Sequence, residues 1–189
     1  MVSLNRERRL PPHPTQRIDR SRPVIFEFNG RPVQAYEGDS VASALYASGV
    51  RVFSRSFKYH RSRGLMCMAG RCPNCMMTVD SVPNVRVCTV PVRSGMVVCH
   101  QNAWPSLERD VLSFLDRFDW ALPVGFYYKA LHRPKALWAV AEPIIRRLAG
   151  LGRLDTEAAG GDHYLHEYLH TDMAVVGGGP AGMSAALAA

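Results

Sequence analysis

Cys67, Cys72 and Cys75 stand as Cys-x4-Cys-x2-Cys, and Cys88 follows after twelve intervening residues. This is the plant-type ligand spacing of a [2Fe–2S] cluster, in which four thiolates hold two irons, two to each. The loop must bring three sulfurs to one side while its backbone N–H groups point at sulfur atoms. Ala69 and Gly70, inside the Cys67–Cys72 interval, are small enough to let it wrap closely. Cys88 lies just after an expected hairpin and is assigned as the fourth ligand. Zinc is the alternative, because Cys72-x2-Cys75 alone suits a zinc knuckle. Zinc sites more often use two separated Cys-x2-Cys pairs, whereas here the upstream spacing is four and Cys88 stands alone. Cys99 falls in the apolar run Met96–Cys99 and reads as a buried free thiol. His100 beside it lacks the second, well-placed histidine of a Rieske-type arrangement.

A second chemistry-bearing motif lies at the other end. Gly177-Gly178-Gly179-Pro180-Ala181-Gly182 fits G-x-G-x-x-G, follows an apolar run and opens an alanine-rich segment. In that context Gly177 allows a tight turn, Gly179 lets backbone approach a pyrophosphate, and Gly182 permits close helix packing. The acidic residue expected about 20 positions later, for the ribose, lies beyond Ala189. The motif is therefore expected to be the start of an FAD/NAD(P)-binding domain belonging to a larger subunit. His163, His166 and His170 are spaced for one helical face, but a solvated linker explains them better than a metal site. Trp104, Trp120 and Trp138 read as packing anchors, and Tyr127, Tyr128 and Lys129 as an aromatic loop buried against the preceding domain.

The elements that must position these residues follow from the sequence pattern. Residues 1–22, with six arginines and Pro11, Pro12 and Pro14, read as a tail that buries nothing. Val24–Phe28 and Arg31–Tyr36 read as strands joined by the Asn29-Gly30 turn. Asp39 or Ser40 caps a short helix through Ser48, with Val41, Ala44 and Leu45 inward. Met76–Val79 and Val85–Val87 are expected to pair around Pro83-Asn84, and Met96–Cys99 to add a last strand. The expected class is α+β. A β-grasp, ferredoxin-like domain occupies 23–102, a helical connector 103–149, a linker 150–171, and the truncated first βα unit of a Rossmann-like domain 172–189. In the connector, Ser106 is expected to cap a helix from Leu107 to Phe118. A second helix from Pro134 to Ala149 carries Leu137, Val140, Ile144 and Ile145 inward and is kinked or split by Pro143. The strand Asp172–Val176 leads into the glycine motif.

The 189 residues are 47% hydrophobic and 21% charged, as in an ordinary globular protein, and hold no apolar run long enough to span a bilayer. The N-terminus lacks the apolar stretch of a secretory signal. A cytoplasmic location, where thiols stay reduced and free to bind metal, is expected. The net charge of +7 is concentrated in residues 1–22 and in residues 51–71, which hold Arg51, Arg55, Lys58, Arg61, Arg63 and Arg71 without an acid. A basic patch can bind nucleic acid. Because this one runs directly into the cysteine loop, subunit docking or compensation of cluster charge is the preferred reading, and nucleic acid is not expected as a partner.

Ser56-Phe57-Lys58-Tyr59-His60-Arg61, Gln101-Asn102-Ala103-Trp104-Pro105, Gly125-Phe126-Tyr127-Tyr128-Lys129 and Val175–Gly182 occur in this order. Together they resemble the N-terminal part of the large (alpha) subunit of heterotetrameric sarcosine oxidase and the related cyanide synthases, opine oxidases and proline-type dehydrogenases. The resemblance covers about residues 24–189. It implies an electron-transfer role in a hetero-oligomeric flavoenzyme, with FAD bound only by the full-length subunit and an amine or amino acid oxidised by the complex. Sarcosine oxidase proper often keeps this domain without its cysteines. All four are present here, which favours the cluster-bearing dehydrogenase branch. No catalytic residue is assigned, since none of these side chains suits the role of general base. The alternatives are a zinc-stabilised basic nucleic-acid-binding module and a cluster-less scaffold for subunit assembly.

Overall fold

The computed structural model describes residues 8–121, 125, 135–157 and 165–189. They fall into two units, residues 1–157 and 158–189. In the first, strand β1 (Asp19–Phe28) alternates strictly near its end, with Phe26 and Phe28 buried and Ile25 and Glu27 outward. Asn29 and Gly30 sit at φ 51° and 76°, the left-handed pair that a two-residue hairpin turn requires. Strand β2 (Arg31–Glu37) then returns in register, pairing Val33 with Phe26 and Ala35 with Val24. Helix α1 (Val41–Ala47) follows, and Ser40 is its cap, its Oγ accepting from the Ser43 N–H at 3.1 Å.

Strands β3 (Ser54–Arg55) and β4 (Ser62–Arg63) form a small ladder of their own. Strands β5 (Met76–Val79), β6 (Val82–Arg86) and β7 (Val97–Cys99) complete a five-stranded sheet in the order β2-β1-β7-β5-β6. β7 runs parallel to β1 and antiparallel to β5. Parallel neighbours need a crossover, and α1 lies in it. Phe26, Leu45, Phe53, Met77 and Val98 meet in one core between α1 and the sheet. Leu107, far along the chain, closes that core.

Several expectations are corrected. The second hairpin turns at Asp80-Ser81, both at positive φ (46° and 68°), and not at Pro83-Asn84. Pro83 instead lies in β6, the edge strand, where a missing N–H costs no ladder bond. Residues 1–22 are not all tail. β1 begins at Asp19, the Arg8 N–H reaches the Ala47 carbonyl at 2.9 Å, and Arg9 pairs with the buried Asp39 at 2.6 Å. No helix begins at Leu107. Ser106 does accept from the Arg109 N–H, but it caps one turn, after which Val111–Ala121 forms a 3-10 segment broken at Phe118. Its Val111, Phe114 and Phe118 stand exposed.

Helix α2 (Lys135–Leu148) is continuous through Pro143, and Leu137, Val140 and Ile144 are exposed, not inward. Trp104 and Trp120 are 71% and 78% exposed and anchor no packing. Tyr127, Tyr128, Lys129 and His163 lie outside the described residues. In the second unit, Asp172–Val176 forms no strand, because a strand needs a neighbour to take its backbone bonds and none pairs with it among the described residues. His166 and His170 are exposed in the same irregular stretch. Helix α3 (Pro180–Ala188) does form, with Gly179 as its cap and Pro180 in its first turn.

Candidate metal centre

The cysteine loop hangs between β4 and β5 and is tied at several points. The Ser54 hydroxyl of β3 donates to the Asn74 carbonyl at 2.7 Å, and the Val87 N–H donates to the Cys75 carbonyl at 3.2 Å. On the far side, Ala42 and Val41 of α1 donate to the carbonyls of Val87 and Val90, fixing the segment that carries Cys88. Sheet, helix and loop thereby bring the four predicted cysteines together. Cys72, Cys75 and Cys88 are buried and Cys67 is half-buried, all with free thiols.

Within the loop the sulfurs lie close together, Cys67 beside Cys72 and Cys75 beside both Cys88 and Cys72. Backbone amides close around them. The N–H of Ala69 and of Arg71 point at Cys67 Sγ (3.5 and 3.3 Å), and the N–H of Gly70 points at Cys88 Sγ (3.3 Å). Gly70 itself is at φ 68°, and a Cβ there would press on Thr89 Cγ2 at 3.0 Å, so the close wrap needs a glycine. The Ala69 N–H, then the Cys72 thiol and the Arg71 N–H, hold the Cys67 thiol down at about 6. Burial, chiefly, pushes Cys75 up to about 11.

This donor set fits a [2Fe–2S] group, which needs two thiolate pairs and amides directed at sulfur. Among the described residues, no three His, Cys, Asp or Glu side chains are arranged to hold a single ion. Cys99 lies in β7 opposite Thr78 and is half-buried, outside the loop.

Sequence reasoning missed a buried polar node in the same unit. Arg55, read as part of a basic surface, is buried and donates to the carbonyls of Leu107 (2.8 Å from Nε), His60 (3.0 Å) and Glu108 (3.0 Å). Asn102 clasps the Arg55 backbone from both sides, accepting from its N–H at 3.0 Å and donating to its carbonyl. His60 Nδ1 meets Asp110 Oδ2 at 2.6 Å, with both side chains buried. The node joins residues some 50 positions apart, so no local pattern announces it. The only signal lay in the runs 56–61 and 101–105, which had no chemistry of their own.

At the glycine motif, Gly177 is at φ 122° and Gly179 has open space around it. A Cβ on Gly182 would collide with the Gly177 carbonyl oxygen, so the turn lies directly on the first turn of α3.

Comparison with known proteins bears on the first unit. Residues 21–103 match a family described as a 2Fe-2S iron-sulfur cluster binding domain. Over 177 residues the chain is 42% identical to sarcosine oxidase subunit alpha of Rhizobium meliloti, covering 91% of this chain and 18% of that protein. Over 104 residues it is 35% identical to hydrogen cyanide synthase subunit HcnA of Pseudomonas aeruginosa, covering 54% of this chain and 95% of HcnA. Among solved structures, L-proline dehydrogenase from P. horikoshii aligns with 27% identity and a TM-score of 0.39, over 49% of this chain and 18% of that one. The chain thus spans under a fifth of the sarcosine oxidase relative and nearly all of the HcnA relative. It belongs to the sarcosine oxidase alpha and HcnA family, through a 2Fe-2S ferredoxin-like domain in its N-terminal region.

Proposed function

We propose that this chain is the electron-transfer part of a flavin-dependent oxidoreductase subunit that oxidises an amine or amino acid, with Cys67, Cys72, Cys75 and Cys88 holding a [2Fe–2S] cluster. The observation that carries the reading is the closing of three loop amides on the sulfurs of Cys67 and Cys88, with Cys72, Cys75 and Cys88 buried beneath. When bound, such a cluster supplies one-electron redox chemistry. This chain's residues do the rest. Cys67, Cys72, Cys75 and Cys88 would hold the cluster's two irons through their thiolates. The amides of Ala69, Gly70 and Arg71 stabilise negative charge on sulfur, and burial of Cys72, Cys75 and Cys88 keeps water from three of the four ligands. The sheet order, with β1 and β7 parallel at its centre, supports a β-grasp domain whose strands run from Asp19 to Cys99.

For the second unit we read Gly177, Gly179 and Gly182 as the start of an FAD pyrophosphate site that only a longer chain completes. Support comes from the proline-led helix and the contact that forbids a side chain at Gly182. HcnA is by name a subunit, and we infer that this chain likewise works within a hetero-oligomer. We place it in the cytoplasm, where its five thiols stay reduced.

The test is iron and acid-labile sulfide content of anaerobically purified protein, with an EPR spectrum after dithionite reduction. Two irons, two sulfides and a rhombic S = 1/2 signal are expected. Cys72→Ser should abolish the signal and Cys99→Ser should leave it intact. Zinc in place of iron, or loss of the signal in both variants, would sink the ligand assignment.

A further inference from the structure

Residues 51–107 hold eight cations and one acid, Asp80. Five of the cations already have partners, Lys58 lying over the Tyr59 ring at 4.5 Å. Arg93 pairs with Asp80 at 3.2 Å and Arg61 with Asp116 at 2.5 Å. Arg55 is buried on carbonyls, and Arg51 is tied to the carbonyls of Tyr46 and Val50. Arg63, Arg71 and Arg86 make no ion pair among the described residues.

All three border the cysteine loop. Arg71 lies inside it, and Arg86 faces Met76, next to Cys75, across the β5–β6 ladder. Arg63 lines a cavity of about 380 Å³ together with Pro73 and Met76. Within the loop, Met66 and Met68 are 71% and 46% exposed on either side of Cys67, the most accessible of the four proposed ligands. Two exposed methionines beside arginines have the composition of an interface core, and the flexible thioether adapts to a partner surface. Electron transfer falls off steeply with distance, so the route out of a buried centre runs through its most exposed ligand.

We propose that the Met66–Cys67–Met68 window, framed by Arg63, Arg71 and Arg86, is the docking surface for a partner redox subunit with an apolar centre and a rim of carboxylates. This rests on the cluster reading above. One electron leaves the reduced centre, its ferrous iron becoming ferric, and reduces a flavin or metal acceptor on the partner. No bond is made or broken, and no proton is taken from this chain. The cationic frame steers the acidic rim and fixes which face meets the window.

Small redox ions serve as stand-ins for the partner. In dithionite-reduced wild-type protein at low ionic strength, ferricyanide should oxidise the centre at least about 10-fold faster than a tricationic cobalt(III) amine, and added salt should erase the difference. Arg63→Glu/Arg86→Glu should lower the ferricyanide rate constant by about 10-fold and raise that of the cobalt complex, with iron content and EPR unchanged. On the wild type, the redox-inert anion hexacyanochromate(III) should broaden the 13C-labelled methyl signals of Met66 and Met68 before those of Met77 or Met96. That binding readout needs no turnover and stands even if the charge-reversed variant fails to assemble. Equal rates for the two oxidants, or broadening centred elsewhere, would overturn the docking surface while leaving the cluster reading intact. Absence of iron would overturn the cluster reading itself. Retention of duplex DNA by the same arginines at 0.15 M salt would reassign the surface to nucleic acid.

Discussion

Asp39 shows how one residue in a short polar run comes to organise the domain. Its carboxylate, 1% exposed, accepts from both Arg9 guanidinium nitrogens (3.1 and 2.6 Å), the Tyr36 N–H (3.0 Å) and the Ser43 hydroxyl (2.7 Å). The end of β2, the start of α1 and the N-terminal segment are thereby bound to one group. The Arg9 guanidinium also lies over the Tyr36 ring at 5.0 Å. Breaking a buried pair by removing one partner strands the other, so Arg9→Ala should cost about 3 kcal/mol of unfolding free energy. Urea denaturation checks this, and a loss below about 1 kcal/mol would mean that the N-terminal segment is not anchored in solution. The capping potential of Asp39 and Ser40 was readable in Glu37-Gly38-Asp39-Ser40. That Arg9 would be its partner was not, because a proline-bordered arginine run carries no local sign of burial. The same holds for His60, which stands among cations in the sequence with no local sign that it is buried on Asp110.

Elements were legible where local chemistry decides them and misread where distant partners do. The Asn29-Gly30 hairpin, the Ser40-capped helix and the Cys67–Cys75 loop depend on residues within a few positions of each other, and each forms as its sequence indicates. The β5–β6 turn went wrong because Pro83-Asn84 is the stronger composition signal. The two-residue loop at Asp80-Ser81 wins because left-handed backbone matches the twist of the flanking strands. Asp80 earns its place by accepting from the Val97 N–H at 2.9 Å and the Arg93 guanidinium at 3.2 Å. Ser81 at φ 68° makes no such contact and holds a conformation that strains its Cβ. Ser81→Gly should therefore stabilise the domain by about 0.5–1 kcal/mol and raise its Tm by several degrees. A lower Tm, with Asp80 unchanged, would show that the turn adopts another form. The 3-10 segment is the opposite case. Its apolar periodicity is that of a helix, but Asp110 accepts from the N–H of Trp104 and of Leu112, and that turn takes over where the helix would start.

At the scale of the molecule, the boundary of the ferredoxin-like unit lies further along the chain than the sheet suggests. The last strand ends at Cys99, yet Leu107 fills the core, Asp110 pairs with His60, and the Leu107 and Glu108 carbonyls hold Arg55. A cut at the end of the sheet would open the core at Leu107, take the Leu107 and Glu108 carbonyls from buried Arg55 and take Asp110 from buried His60, at a combined cost that is a large share of the stability of a small domain. HcnA aligns with this chain over 104 residues and 95% of its own length, so that relative has little beyond a stretch of this size. The fragment 8–121 should thus fold, unfold in one cooperative transition and take up iron and sulfide at the level of the full 189-residue chain, whereas 8–103 should not. Circular dichroism with iron analysis on the two fragments decides the point. If 8–103 folds and binds iron equally well, the polar node is an accessory to the domain, and the run at Gln101–Pro105 must be explained by a partner that covers it.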